Sequence, residues 1–172
     1  MMFHRLKLIN KNQRGFTLIE LVVAIAITAL IIGGITMAIF QVFDVNSRST
    51  TRMTAVKQVE NAVHWLSRDA KMAQDVQPGE NSGFPLNLTW VEWDNTVNQV
   101  TYALENGGLK RSHSVDGGEP TETVVARHID SDPAMTNCEF DGGVLTFELT
   151  ANLGGFRPAS ETRVCEVIPR PD

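Results

Sequence analysis

The feature that most restricts the fold of this 172-residue chain is an apolar run over residues 16–43. Its polar members are Thr17, Glu20, Thr28, Thr36 and Gln41. A helix rises about 1.5 Å per residue and the hydrocarbon core of a bilayer is about 30 Å thick, so roughly 20 residues are enough to cross it. The helices of soluble cores are rarely apolar on every side. The run therefore predicts one membrane-spanning helix.

Charge on the two sides of the run predicts its orientation. Residues 1–14 contain no acid and four cations, which are Arg5, Lys7, Lys11 and Arg14, whereas Asp44 follows the run. Positive flanks remain in the cytoplasm. The run is longer than the core of a secretory signal peptide and lacks a small-residue cleavage site behind it, so we expect it to be retained. We predict a single-pass protein of the inner (cytoplasmic) membrane, with its N-terminus in the cytoplasm and its body outside.

Periodicity predicts that the helix continues beyond the membrane and becomes amphipathic. Apolar residues recur there at steps of three and four, at Val56, Val59, Val63, Leu66, Ala70 and Ala73. No proline interrupts residues 16–76, and the turn-forming segment QPGENSG follows from Gln77. We therefore expect one helix of about 60 residues, with a membrane half over 16–43 and an amphipathic half over 44–76.

The rest of the chain, residues 77–172, has the pattern of an antiparallel β-sheet domain. This region contains six short β-prone runs, which are LNLTWVEW, VNQVTYALE, LKRSHSV, ETVVARHI, VLTFELTA and TRVCEVI. Turn signals stand at Asn106, Asp116, Asp141 and Leu153, each followed by two glycines. The apolar face of such a sheet needs a cover, which the helical stripe can supply. The predicted fold class is α+β, with the helix packed on the sheet.

Charge and motifs argue against nucleic-acid binding and catalysis. The formal charge is −5, and the four N-terminal cations leave −9 on the remainder, which gains nothing from neutralising phosphates. No GxSxG or HExxH motif accompanies the histidines, and Asp130, Asp132 and Glu139 lack EF-hand spacing. We predict no enzyme, no cofactor and no metal site.

Cys138 and Cys165 are the two cysteines of the chain, and their spacing is not that of a zinc site. A disulfide between them is possible if the body lies in an oxidising compartment outside the cytoplasm. Two buried free thiols are the alternative. Sequence alone leaves both open.

The segment RGFTLIELVVAIAI, residues 14–27, resembles the processing site and anchor of type IV prepilins and type II secretion pseudopilins. The resemblance lies in the basic leader over 1–15, Gly15 before the junction, Phe16 after it, Glu20, and the apolar helix behind. It implies that a prepilin peptidase removes the leader between Gly15 and Phe16. It also implies that the new amine of Phe16 is N-methylated.

Glu20 has a physical reason to pair with that amine. An acid within an apolar run costs about 2.5–3.5 kcal/mol at the membrane centre, and no lysine or arginine follows closely. Cleavage before Phe16 creates a cation nearby, and the Phe16 amine of one subunit can meet Glu20 of its neighbour in a filament. We therefore predict that Glu20 is the assembly charge that sets subunit register. The alternative is that Glu20 lies near the interface and reaches water.

A second segment, AVHWLSRDAKMAQDV over residues 62–76, is similar to minor pseudopilins of the J type and to related minor pilins. Leu66, Arg68 and Asp69 carry this likeness, and YALENGGLKRS from Tyr102 also fits. On residues alone, Arg68 and Asp69 fit a solvated helix face equally well. The likeness implies a subunit that initiates or caps a pseudopilus or pilus-like filament. Its implied partners are other pseudopilins or pilins, the prepilin peptidase and the inner-membrane assembly platform.

Two other functions are alternatives. A pilus-tip adhesin or DNA-uptake module would use Trp65, Trp90 or Trp93 in a ligand face. Trp90 and Trp93 are three residues apart, which puts them on opposite faces of a strand, so we expect one in the core and one exposed. A single-pass enzyme with a plain signal anchor would keep its leader.

Overall fold

The computed structural model describes residues 15–80, 83–155 and 157–171. The predicted leader therefore lies outside the described residues, apart from Gly15. One helix, α1 (Leu18–Met72), precedes eight strands. The strands are β1 (Asp75–Gly79), β2 (Gly83–Val91), β3 (Val97–Glu105), β4 (Gly108–Val115), β5 (Thr121–Arg127), β6 (Asn137–Asp141), β7 (Val144–Leu153) and β8 (Ala159–Val167). The predicted α+β class is confirmed.

The chain divides into two compact units, residues 1–44 and residues 45–172. In the first unit, every described side chain is exposed except that of Asp44, which is half-buried. Helix α1 contains a segment long and apolar enough to cross a membrane. An apolar surface of this extent is unstable in water, so the unit requires a lipid or protein environment.

The second unit contains two antiparallel sheets rather than the single sheet expected. One has the strand order β1-β2-β3-β4-β5 and the other β6-β7-β8. Six strands match the six β-prone runs, whereas β1 and β6 were not predicted, because they are five residues long and β1 contains a proline. Gly83 lies where β2 meets β6. Its φ is +71° and a Cβ there would collide with the carbonyl of Cys138, so only glycine fits.

Three of the four predicted glycine pairs form turns with two successive residues of positive φ. Asn106 and Gly107, which join β3 to β4, both have positive φ, at 51° and 69°. Asp116 with Gly117 and Gly142 with Gly143 do the same at their turns. Two successive left-handed residues are typical of the tight turns whose twist matches that of paired strands.

A single hydrophobic core joins the amphipathic part of α1 to both sheets. Four predicted stripe residues, Val59, Leu66, Ala70 and Ala73, are buried, whereas Val56 and Val63 are only half-buried. Their places are taken by Ala55 and Ala62, which are fully buried. The buried face is therefore rotated slightly towards the alanines, whose small side chains allow close packing.

Helix α1 ends at Met72, four residues before the predicted end at Val76. The backbone N–H of Gln74 donates instead to the carbonyl of Thr89 in β2, at 2.9 Å. Val76 then lies within β1, opposite Leu88. Pairing with the sheet thus replaces the last predicted helical turn.

Candidate functional site

The first turn of α1 is closed by a reciprocal cap between Thr17 and Glu20. The Glu20 carboxylate accepts hydrogen bonds from the Thr17 backbone N–H at 2.9 Å and from its hydroxyl at 2.7 Å. The backbone N–H of Glu20 donates in return to the Thr17 hydroxyl oxygen at 3.3 Å. This is a capping box, in which a threonine before the helix and a glutamate three residues on satisfy otherwise unpaired N–H groups.

The cap shows that Glu20 has a local structural role, which the sequence reasoning missed. The signal was available, because the spacing Thr-x-x-Glu before an apolar run is typical of helix starts. Phe16 precedes the cap and its side chain is 89% exposed. The pairing of Glu20 with a Phe16 amine remains a prediction, and the cap now competes with it as an explanation for the carboxylate.

Asp69 is buried in the second unit, so the alternative of a solvated helix face does not hold for this residue. Its side chain is 1% exposed, whereas the neighbouring Arg68 is exposed. Its Oδ2 accepts hydrogen bonds from the Tyr102 hydroxyl and from Nε of Arg111, both at 2.6 Å. Asp69 therefore joins α1 to the five-stranded sheet.

Strand register brings the two donors together. Tyr102 in β3 and Arg111 in β4 are directly paired across the sheet, so their side chains share the face under α1. Burial, reinforced by the charge of Asp69, raises the pKa of Tyr102 far above its usual range, so its hydroxyl stays a donor. Trp65 lies beside the pair, with the guanidinium carbons of Arg68 and Arg111 at 5.0 Å and 5.1 Å from its ring centre. The guanidinium of Arg111, the charged partner of Asp69, is thus also packed against Trp65.

This network links the two segments that carry the second resemblance, one around Leu66 and Asp69 and one from Tyr102 to Arg111. Among the described residues, Asp69 Oδ1 is buried without a hydrogen-bond partner. A buried ion pair that leaves one oxygen unsatisfied adds little net stability, although removal of one partner is costly. Its evident effect is to specify where α1 sits on β3 and β4.

Cys138 and Cys165 are free thiols, which is one of the two alternatives that the sequence leaves open. Cys138 in β6 and Cys165 in β8 both pair with Phe147 of the intervening strand β7, one on each side. Strands are spaced about 4.8 Å apart, so the two Cα atoms are separated by nearly 10 Å, beyond the roughly 7 Å limit for a disulfide. The structure favours the alternative of two thiols, of which Cys138 is buried and Cys165 is half-buried.

The two thiols should differ in reactivity. Cys138 donates to the carbonyl of Gly83 at 3.0 Å, and burial raises its pKa to about 12. Thiolates are the reactive form, so a maleimide should modify Cys165 in the folded full chain and reach Cys138 only on unfolding. Peptide mapping after timed labelling measures how fast the maleimide modifies each cysteine, and Cys138→Ser and Cys165→Ser serve as controls. The prediction would be contradicted if no free thiol could be labelled in the absence of a reductant.

The tryptophans divide as expected into buried and exposed. Trp90 is in the core and stacks on His113, with 6.0 Å between ring centres. Trp93 is 94% exposed but lies beyond the end of β2, not on its opposite face. Since Trp65 is half-buried against two arginines, Trp93 alone of the three offers most of its ring to a ligand.

Two of the other polar candidates, Asp130 and Asp132, have structural partners. Asp130 accepts the backbone N–H of Asp132, and Asp132 accepts that of Ala134, which makes them turn formers. Within the described residues, no group of three or more His, Cys, Asp or Glu side chains is placed to hold a metal ion. A shallow groove of about 720 Å³ runs between α1 and β8, with Val63, Met72 and Val164 in its lining.

The comparisons with known proteins concern the N-terminus. Residues 10–40 match the family described as the prokaryotic N-terminal methylation motif. No curated protein and no solved structure matches the chain. The matched range contains Gly15, Phe16 and Glu20, and the elements behind it are one long helix followed by antiparallel sheets. The N-terminal motif therefore supports a type IV pilin-like protein, and the fold behind it has the α+β arrangement of one long helix followed by antiparallel sheets.

Proposed function

We propose that the chain is a minor pseudopilin or minor pilin, a structural subunit that initiates or caps a type II secretion pseudopilus or related filament. The observation that carries this proposal is the methylation motif at the head of an apolar helix whose side chains are exposed throughout residues 15–43. Such a surface is stable in lipid and, after extraction, only against similar helices. The proposal assigns the chain no catalysis.

In this proposal the chain is inserted with its N-terminus in the cytoplasm, and a prepilin peptidase cleaves between Gly15 and Phe16. The amine of Phe16 is then methylated. Among the described residues, no heavy atom lies within 4 Å of a Cβ placed on Gly15, and Phe16 is exposed, which supports cleavage at this junction. The assembly platform in the inner membrane then adds the processed subunit to the filament.

Glu20 would then act after processing. Its carboxylate caps the first turn through Thr17 in the single chain. A carboxylate has about four acceptor sites on its two oxygens, so the cap leaves it able to accept the Phe16 amine of a neighbouring subunit. That contact would fix the axial step between subunits in apolar surroundings, where an unpaired charge is costly.

A minor rather than a major subunit is supported by the Asp69 network. It joins the two segments that resemble J-type minor pseudopilins, because Asp69 contacts Tyr102 and Arg111. The network gives those residues a shared structural purpose in the body. It does not involve the membrane helix, so it bears on subunit class and not on processing.

Photo-crosslinking from the apolar helix tests the proposal. A crosslinker at Leu30, which is 78% exposed, should capture other pilin-like subunits in native membranes. The same crosslinker at Val124 in β5 serves as a body control, because it is exposed but outside the apolar helix. Partners identified by mass spectrometry should be different pilin-like proteins. Capture of long homopolymers would indicate a major subunit, and capture of no pilin-like protein would contradict the proposal.

A further inference from the structure

The outer edge of β8 is unpaired in the described part of the chain. The three-stranded sheet has the order β6-β7-β8, so β8 has β7 on one side and no described strand on the other. At the opposite end of this sheet, β6 lies beside β1 and β2. Alternate residues of an edge strand direct their backbone N–H and C=O groups outwards, where another chain can pair with them. The nine residues of β8 include no proline, so the edge is suited to strand addition.

The groove between α1 and β8 runs along this edge. The side chain of Cys165 is directed towards α1, because its Sγ lies 3.7 Å from Oγ of Ser67. A strand added about 4.8 Å beyond β8 would direct every second side chain to the same side. Val63 and Met72 of α1 line the groove there, together with Val164 of β8. The groove therefore offers apolar contacts to alternate residues of an added strand.

Exposed apolar side chains at this edge favour a covered state. Val164 is 63% exposed, and Ile168, which follows β8, is 74% exposed. Sheet edges that stay free in solution are usually protected by charge, proline or a bulge. Arg163 and Glu166 supply charge on either side of Val164 but leave it uncovered. Apolar groups with polar neighbours in an open groove are typical of a protein-binding surface.

Two cations of α1 decide the chemistry of the occupant. Arg68 and Lys71 are exposed and line the groove, and no ion pair joins either to an acid in the described part of the chain. Arg163 also lines the groove, but it is paired with Glu161 at 3.5 Å. Glu60, the acid of the lining, lies eleven residues before Lys71, or about 16 Å along the helix axis. A carboxylate near Lys71 would therefore be attracted to the groove.

A second copy of this chain is a poor occupant of the same edge. Two identical antiparallel edges pair about a two-fold axis perpendicular to the sheet, which leaves both α1 helices on one face. Arg68 and Lys71 of both copies would then approach one another across the seam, where like charges repel. A partner that carries a carboxylate gains at the place where a second copy loses.

We propose that β8 and the adjoining groove bind an extended segment of another protein by strand addition. Apolar side chains alternate along the segment, and a carboxylate lies opposite Arg68 and Lys71. In this mode of recognition, backbone pairing supplies affinity and the side chains in the groove supply specificity. The inference goes beyond the proposed function, because it concerns the second unit alone and depends on neither cleavage, methylation nor filament assembly.

Synthetic peptides added to the full chain in neutral detergent micelles test the site. The probes are two eight-residue peptides with blocked ends, in which two glutamates either follow or precede six alternating valines and threonines. One of the two should bind with a Kd of about 10–100 µM by fluorescence anisotropy. Bound peptide should slow maleimide modification of Cys165 about ten-fold or more, because Cys165 lines the groove.

Two changes to the peptide separate backbone pairing from charge. N-methylation of either all the valines or all the threonines removes one row of N–H donors and keeps the side chains, so one of these forms should bind at least about ten-fold more weakly. Replacement of both glutamates by glutamine should weaken binding about five-fold. Equal binding of the unmodified and both methylated peptides would overturn strand addition and assign the groove to apolar contact alone.

A pair of variants tests the cations. Arg68→Gln/Lys71→Gln should weaken binding of the acidic peptide about five-fold and leave that of the glutamine peptide unchanged. The matched control Lys57→Gln/Arg127→Gln removes the same charge at exposed positions outside the lining and should change binding by less than about two-fold. Should the groove variant misfold by circular dichroism, the glutamine peptide on the native protein still measures the effect of the charge. Equal affinity for the acidic and glutamine peptides would overturn the assignment of the carboxylate.

Three further results would overturn the proposal. The first is no binding of either acidic peptide at about 1 mM. The second is binding that leaves modification of Cys165 unchanged, which would place the peptide elsewhere. The third is dimerisation that protects Cys165 without peptide, which would assign the edge to a second copy. None of these results would affect the Leu30 crosslinks that test subunit assembly.

Discussion

Replacement of Asp69 by alanine is expected to lower the free energy of unfolding of the body by about 3–5 kcal/mol. The substitution leaves the buried Arg111 without its counter-charge and removes the acceptor of the Tyr102 hydroxyl. Breaking one side of a buried ion pair has a cost of this size, because the remaining charge stays desolvated. The change in the free energy of unfolding can be measured by guanidinium titration of the full chain in detergent, with the fluorescence of Trp65 and Trp90 as the signal.

Two controls separate the buried charge from its surroundings. Lys71→Ala, on the same helix but exposed, should change the free energy of unfolding by less than about 0.5 kcal/mol. Asp69→Ala/Arg111→Met should be less destabilised than Asp69→Ala alone, because no unpaired charge is then buried. If the double variant were as unstable as the sum of the two single variants, the pair would not be coupled and this account of the network would be wrong.

Glu20→Ala is expected to eliminate incorporation into filaments, measured as the fraction of subunit recovered in sheared filament preparations. It removes both the cap on Thr17 and the proposed counter-charge for the Phe16 amine. Glu20→Gln separates these roles, because glutamine also closes a capping box but carries no charge. We expect Glu20→Gln to fail in assembly as Glu20→Ala does, while Thr17→Ala, which disturbs the cap alone, assembles at a reduced level.

The same experiment can show that the capping role is the whole explanation. Normal assembly of Glu20→Gln would rule out a charge pair and leave helix capping as the function of Glu20. Gly15→Leu is the processing control, since it should keep the leader on a membrane-inserted chain that does not assemble. Mass spectrometry of the extracted protein should show a methylated Phe16 terminus in the native protein and in Glu20→Gln, but an intact leader in Gly15→Leu.

Local signals explain why much of the fold could be predicted. An apolar run of this length is stable in lipid or against similar helices but not in water, and the turn segments that begin at Asn106 and Asp116 have few conformations other than a tight turn. The strands between such turns are defined by their neighbours in sequence. These elements, and the order of helix before sheets, were correctly predicted because each depends on residues that are close along the chain.

The candidate site was only partly predictable from sequence. The methylation motif is contiguous, so its candidate residues Gly15, Phe16 and Glu20 could be named directly. The cap between Thr17 and Glu20 was equally local, and it was missed although its spacing is recognisable. The end of α1 was misplaced because β1 competes for the same residues, and that competition involves Thr89, far along the chain.

Sequence by itself thus determined the membrane helix, the hairpins and the processing motif, since local chemistry decides each of them. Tertiary structure alone decided that Asp69 is buried and that Cys138 and Cys165 are separated by β7. These outcomes depend on which strands are neighbours and on how the helix is rotated on the sheet. A quarter turn of α1 would move Asp69 off the sheet, and a different strand order would remove β7 from between the cysteines, without changing any local pattern.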